Sequence, residues 1–298
     1  MYSYLSLLQN CANHGVRQKN RTGIDTLMIP GGALKFDFDE GFPILTTKKV
    51  NFKAVVAELL GFIRGYTNAA QFRELGCRIW DANANANKQW LENPARHGPD
   101  DLGRIYGAQW RGWRGIIPSW DTGPAVGVVI DQLARALDLI RNDPTSRRII
   151  VSAWQPAELD RMALPPCHLM YQFLVEQERR RLHMTMYMRS CDMFLGVPFN
   201  ISSYALLLSL VAMVTEYAPG TLTMFLADVH IYENHRDQVR EQLRRVRRKL
   251  PRLVVSPRAV KFVRNQVEAM SWLESIEPED IELVGYDPHP AIKGDMAV

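Results

Sequence analysis

The chain has 298 residues, 47% hydrophobic and 23% charged. That is ordinary globular composition and excludes a disordered tail, a collagen-like chain or a small disulfide scaffold. A formal charge of +4 is too small for a dedicated nucleic-acid binder, yet it suits an anionic small substrate held by a few placed arginines. The cysteines Cys11, Cys77, Cys167 and Cys191 form no Cys-x-x-Cys and no Cys/His pair at zinc-ligand spacing, so no metal site is expected. With no signal-like start, free thiols in a reducing cytoplasm are the expectation.

No internal repeat or low-complexity linker divides the chain, so residues 1–298 read as one domain. Residues 1–13 predict an opening helix. Residues 27–38 alternate and carry Pro30-Gly31-Gly32, which predicts strands with a turn. Residues 52–64 have helical periodicity with Gly61 as an interior flaw. Residues 82–118, rich in Asn, Gly and Pro, read as a long loop region. An amphipathic helix follows over 130–142. Segments 148–154, 169–175 and 182–188 read as buried strands, 200–214 as a long apolar helix, and 235–249 as a charged helix. Residues 281–298 read as a strand and a loop tail. The longest apolar run, 204–214, is too short to cross a bilayer and reads as a buried helix. Strands and helices interleave irregularly, so the expected class is α+β, a mixed sheet packed on helices. One sheet face would meet the apolar helix; a back-to-back homodimer would cover the other.

Met162-Ala-Leu-Pro-Pro-Cys-His168 is the most suggestive local segment. Two prolines fix the backbone before Cys167. A thiol at the start of a strand, beside arginines, can act as a nucleophile, although an isolated cysteine near strands is more often core. Downstream lie Arg189-Ser-Cys-Asp192 and Gly196-Val-Pro-Phe-Asn200. Arg189 and Ser190 suit a phosphate. Asn200 carries a donor and an acceptor, which suits the edge of a uracil ring. Ser146-Arg-Arg148 adds two cations, a pair that alone reads as solvated surface.

Together with Arg21-Thr-Gly23, Leu45-Thr-Thr-Lys-Lys49, Glu58-Leu-Leu60, Ile79-Trp-Asp81, Tyr106-Gly-Ala-Gln-Trp-Arg111, Asp228-Val-His-Ile-Tyr232, Gly285-Tyr-Asp-Pro-His-Pro290 and Met296-Ala-Val298, these segments resemble the thymidylate synthase family. The likeness spans nearly the whole chain in one order. It implies a one-domain α+β subunit, an obligate homodimer joined through its sheets, and dUMP and 5,10-methylenetetrahydrofolate as substrates. In that reading Cys167 is the thiolate that adds to C6 of uracil. Arg21, Arg189 and Ser190 bind the phosphate, with Arg147 and Arg148 supplied by the other subunit. Arg189 would favour the charged thiolate. Asn200 reads N3–H and O4, where relatives acting on dCMP carry Asp; the bland alternative is a helix cap. His230 and Tyr232 hold the sugar hydroxyl. Glu58 is the general acid/base, and His168 and Tyr106 line the pyrimidine site. Trp80, Asp192 and Gly196 face the folate, and Val298 closes over both ligands.

Three positions depart from the family pattern. Gly61 stands where the family nearly always has Trp, on the same helix face as Glu58. Met188 replaces a polar residue, and Arg104 stands where many relatives have Pro. A side chain missing beside Glu58 would admit water. The expected product is dTMP, by reductive methylation; the alternative is hydration to 5-hydroxymethyl-dUMP, as in phage-type hydroxymethylases. The arginine-rich segment 236–252 reads as a solvated helix and loop, with RNA binding as its alternative.

Overall fold

The computed structural model describes residues 1–117, 125–256 and 265–295. Its strands are β1 (Val16–Gln18), β2 (Thr26–Asp37), β3 (Trp113–Ile117), β4 (Val126–Ile130), β5 (Ile150–Ser152), β6 (His168–Glu176), β7 (Arg181–Asp192), β8 (Ala218–Tyr232), β9 (Arg252–Val255) and β10 (Ile281–Val284). Six of them form one sheet in the order β1-β2-β8-β7-β6-β5. Its pairings are antiparallel except β7 with β8, which run parallel. The sheet is therefore mixed, as expected, and two separate two-stranded antiparallel sheets, β3-β4 and β9-β10, accompany it.

Alternation explains the long strands. In β7, Leu182, Met184, Met186 and Met188 are buried while His183, Thr185 and Tyr187 are not. The buried side faces the helix Gly196–Val214, which is apolar all round and lies in the core, as such a helix must in water. By length and composition it would also suit a membrane span, but it is mostly buried inside the fold. The helix Phe52–Ile63 packs beside it, buried from Ala54 onward.

Several elements differ from the sequence expectation, four of them with consequences for the site. The Pro30-Gly31-Gly32 stretch does not turn. β2 runs through it as one strand, with Gly31 at φ 76° and the pairing to β8 resuming at Gly32. Residues 82–118 are not one loop: they hold the helices Asp81–Asn85, Lys88–Leu91 and Tyr106–Gly112 as well as β3. The last of these helices presses so closely on Phe52–Ile63 that a Cβ on Gly107 would stand 2.4 Å from the Phe62 carbonyl oxygen. Tertiary packing, not propensity, makes that helix. β8 was not expected, although Thr221-Leu-Thr-Met alternates cleanly; Pro219-Gly220 before it reads as a turn. The charged helix ends at Arg244, because Arg245 turns extended and donates to the carbonyls of Thr47 and Pro290.

The arginines of segment 236–252 are largely engaged. Arg236 pairs with Glu233, Arg240 with Asp237, Arg245 with Glu241 and Arg248 with Asp287, while Arg247 lies over the Tyr2 ring.

On the sheet face away from the apolar helix, Met170, Tyr187 and Phe225 stand in register across β6, β7 and β8. They are 37%, 40% and 48% exposed. An apolar row of this kind at the middle of a sheet is unusual for a surface left to water.

Candidate active site

Cys167 sits at the entry to β6 and is held from three sides. Its amide donates to the Tyr106 hydroxyl at 2.7 Å, and its carbonyl accepts from the Arg189 amide at 2.8 Å. The Arg189 guanidinium donates from Nε to the Pro166 carbonyl and from Nη2 to the Pro165 carbonyl, both at 2.8 Å, and Nη2 lies 3.8 Å from the Cys167 sulfur. The Pro-Pro-Cys turn is thus clamped by the cation that sits on its thiol. Burial pushes the thiol pKa up, while Arg189 and Arg21 pull it down. In the free protein burial wins, so the arginines hold in check a shift that they do not overcome. Arg189 does favour the charged thiolate, as expected, and burial outweighs it.

Beside Cys167 is a wall of rings. His168 stacks on Tyr106, with centroids 4.0 Å apart, and its Nδ1 meets the Tyr204 hydroxyl at 2.7 Å. Burial lowers its pKa to about 3, so it is a neutral imidazole at any working pH. Glu58 lies on the same side, in the buried helix Phe52–Ile63, and is 8% exposed. Trp80 donates its indole N–H to Glu58 Oε1 at 3.1 Å. Burial raises the Glu58 pKa to about 7, and the indole bond opposes that rise only in part. Glu58 is thus neither a surface residue nor part of an ion pair among the described residues.

The third group lies at the β7–β8 ends and the start of the apolar helix. Asp192 pairs in register with His230. Asp192 Oδ1 accepts from the amides of Phe194 and Leu195 at 2.9 and 3.2 Å. His230 Nδ1 meets Asp228 Oδ1 at 3.1 Å, and its ring lies 5.3 Å from that of Tyr232. Burial lowers the His230 pKa, but the Asp228 contacts and the Asp192 charge outweigh it and leave it raised. Asn200 is half-buried and stands inside the helix, which begins at Gly196 after Leu195. It is therefore not a cap, and its Oδ1 would lie 3.7 Å from a Cβ on Gly196. The glycine leaves the amide open.

Arg21 is exposed on the loop before β2, close enough for its charge to act on Cys167 and Tyr232. Ser190 faces Asp228 across β7 and β8. Arg147 and Arg148 are not brought to the cluster. Both are exposed and precede Ile150, which pairs with Gln172 well along β6. Val298 lies outside the described residues. The chain before it does approach: His235 Nε2 meets the Asp295 carbonyl at 2.9 Å, and Gly294 packs on Phe194.

Lys48 was not singled out from the sequence beyond its motif. It is buried, donates to the Phe194 carbonyl and lies over that ring, with its pKa lowered by burial to about 8. A lysine in a Thr-Thr-Lys-Lys run gives no sequence signal of burial.

The departures also find places. Met188 is core, and Arg104 pairs with Glu158 at 2.9 Å. The site at Gly61 is filled: a Cβ there would lie 2.4 Å from the Phe72 ring. The side chain that takes this space is Phe72, from the helix Ala69–Glu74.

The family profile described as Thymidylate synthase matches residues 2–298. The chain belongs to the thymidylate synthase family. Among its relatives are proteins named thymidylate synthase from Pseudomonas syringae pv. tomato and Pseudomonas putida, each 46% identical over 323 aligned positions that cover all of both chains. A third, from Bordetella parapertussis, is 43% identical over the same span. Among the described residues no group of His, Cys, Asp and Glu is placed to hold a metal ion.

The buried carboxyl predicts a pH signature in stability. Its folded pKa, about 7, lies above the ordinary 4.5, so the fold favours the protonated form. That contribution is complete below about pH 4 and lost as pH rises through 7. Glu58→Gln should therefore gain on the parent from about pH 4 and level off above pH 7, at an advantage on the order of 3 kcal/mol. Urea denaturation of both proteins at pH 4, 6 and 8 checks this; a difference that does not vary with pH would contradict it.

Proposed function

We propose that the chain transfers the one-carbon unit of 5,10-methylenetetrahydrofolate to C5 of dUMP and delivers it as a methyl group, giving dTMP and dihydrofolate. The observation that carries this is the pairing of Cys167, clamped under Arg189, with a buried carboxyl near neutrality on the same side. C5 of uracil is a poor nucleophile. Addition of the Cys167 thiolate to C6 moves an electron pair toward O4 and makes C5 enolate-like. Expulsion of the sulfur at the end restores the ring double bond. The phosphate of dUMP would rest on Arg21, Arg189 Nη1 and Ser190, and the sugar hydroxyl on His230 and Tyr232. Asn200 would accept from N3–H and donate to O4, since its amide has no partner among the described residues.

Glu58, poised near neutrality, suits general acid/base work at O4 through a water and on the folate. His168 and Tyr106 line the ring site; being neutral, His168 orients and does not transfer a proton. The folate supplies both the one-carbon unit and the hydride. The residues fit it: Trp80, packed beside Glu58, would border the folate ring, and Asp192 keeps Oδ2 for a pterin N–H. Gly196 leaves room at the helix start. Val298 would complete the enclosure. Phe72 in the Gly61 notch supports reduction over hydration, because the gap through which water would enter is occupied.

The working unit in this reading is a homodimer formed through the face that carries Met170, Tyr187 and Phe225. Arg147 and Arg148, remote from Cys167 in their own chain, would then reach the partner's phosphate site. The four cysteines are free thiols, which agrees with a cytoplasmic setting.

Mass spectrometry after incubation with dUMP and methylenetetrahydrofolate should find dTMP and dihydrofolate in equal amounts; 5-hydroxymethyl-dUMP with tetrahydrofolate would overturn the reductive reading. Cys167→Ala should bind dUMP and form no product. Asn200→Asp should shift the preference for dUMP over dCMP by at least about 100-fold toward dCMP, measured as the ratio of kcat/KM values. Tyr187→Glu together with Phe225→Asp should yield an inactive monomer by sedimentation equilibrium. An active dimer would show that this face is not the interface.

A further inference from the structure

Gly61 and Phe72 occupy one place between them. The Phe72 ring is fully buried, and its Cε1 and Cδ1 would lie 2.4 and 2.6 Å from a Cβ at position 61. A side chain at 61 and the ring in its present seat exclude each other. From that seat the ring packs on Phe62, Tyr66 and Trp80, with centroids 5.7, 5.8 and 6.2 Å away. Trp80 stands in the turn between the helices Ala69–Glu74 and Asp81–Asn85. Its ring is fixed by Phe72, by Phe62 at 6.0 Å and by Tyr106 at 5.9 Å. The edge of that ring carries the N–H on Glu58.

We infer that Phe72 is a positioning residue for Glu58: seated in the notch of Gly61, it sets the place of Trp80 and so the hydrogen bond on the Glu58 carboxyl. The inference rests on the proposed role of Glu58 for its effect on turnover, but not for its effect on the carboxyl itself. The surroundings make that bond count. The titratable groups whose charge couples to Glu58 are Cys77, from the turn before Trp80, Tyr106 from the helix Tyr106–Gly112 and Tyr204 from the apolar helix. None is a cation, and His168 beyond them is neutral. Among the described residues the indole N–H is thus the group that favours the ionised carboxylate. Loss of a hydrogen bond to a charged acceptor raises a carboxyl pKa by about one unit or more.

The test follows the Glu58 carboxyl by difference infrared titration against Glu58→Gln, alongside the pH profile of kcat and dUMP binding. Phe72→Ala removes the buttress. Gly61→Ala pushes the ring aside without opening a cavity and serves if the first variant does not fold. In each, the carboxyl midpoint should rise by about one pH unit and kcat should fall about tenfold, with the dUMP Kd within about twofold. Trp80→Phe should move the midpoint at least as far, and adding Phe72→Ala to it should move it no further. A midpoint unchanged in folded Phe72→Ala or Gly61→Ala overturns the inference, as does a further shift in the double variant. A midpoint that moves while the pH profile of kcat stays fixed supports the positioning role and instead removes Glu58 from the proton transfer that limits turnover.

Discussion

The parallel register of β7 on β8 is the constraint on which the site depends. It sets Asp192 beside His230 and Ser190 beside Asp228, while the other edge of β7 lends the Arg189 amide to the Cys167 carbonyl. Residues from three distant parts of the chain therefore meet at one end of the sheet. A slip of one residue would send each of these side chains to the opposite face. The buried methionines of β7, locked against the apolar helix, prevent that slip.

The site divides electrically into two walls. Around Glu58, among the described residues, stand rings and a thiol and no cation, and burial moves the carboxyl toward neutrality. Around Cys167 stand Arg189 and Arg21, which restrain the thiol against its own burial. An acid and a nucleophile of the proposed reaction thus receive opposite treatment within one pocket, the pattern expected where two titratable groups have different tasks. Arg189 has a double part, since the same guanidinium holds the two proline carbonyls that shape the turn.

Much of this was legible in the residues. Strict alternation in β7 and the all-apolar run of the core helix declared themselves, because both patterns come from burial. The ordered motifs located Cys167, Arg189, Asp192 and Asn200 without any coordinates. The helix Tyr106–Gly112 and the strand β8 were not legible. The first forms because Gly107 lets two backbones touch, a fact about a neighbour distant in sequence. The second opens with Pro219-Gly220, whose local meaning is a turn. The buried state of Glu58 was equally hidden: its helix reads as apolar, but only the packing shows that the carboxyl's donor is the uncharged Trp80 indole. Phe72 carried no signal at all, since nothing local ties a phenylalanine to a glycine eleven residues before it.

That last pairing bears on how this chain can change. Two positions that share a single space cannot vary independently. A larger residue at 61 meets a ring already in place, and a smaller one at 72 leaves a cavity beside the carboxyl. Neither single step is neutral, and only the two together restore packing. The glycine, which looks like a defect in its helix, is in this sense one half of a coupled pair: its missing side chain is the seat of the Phe72 ring.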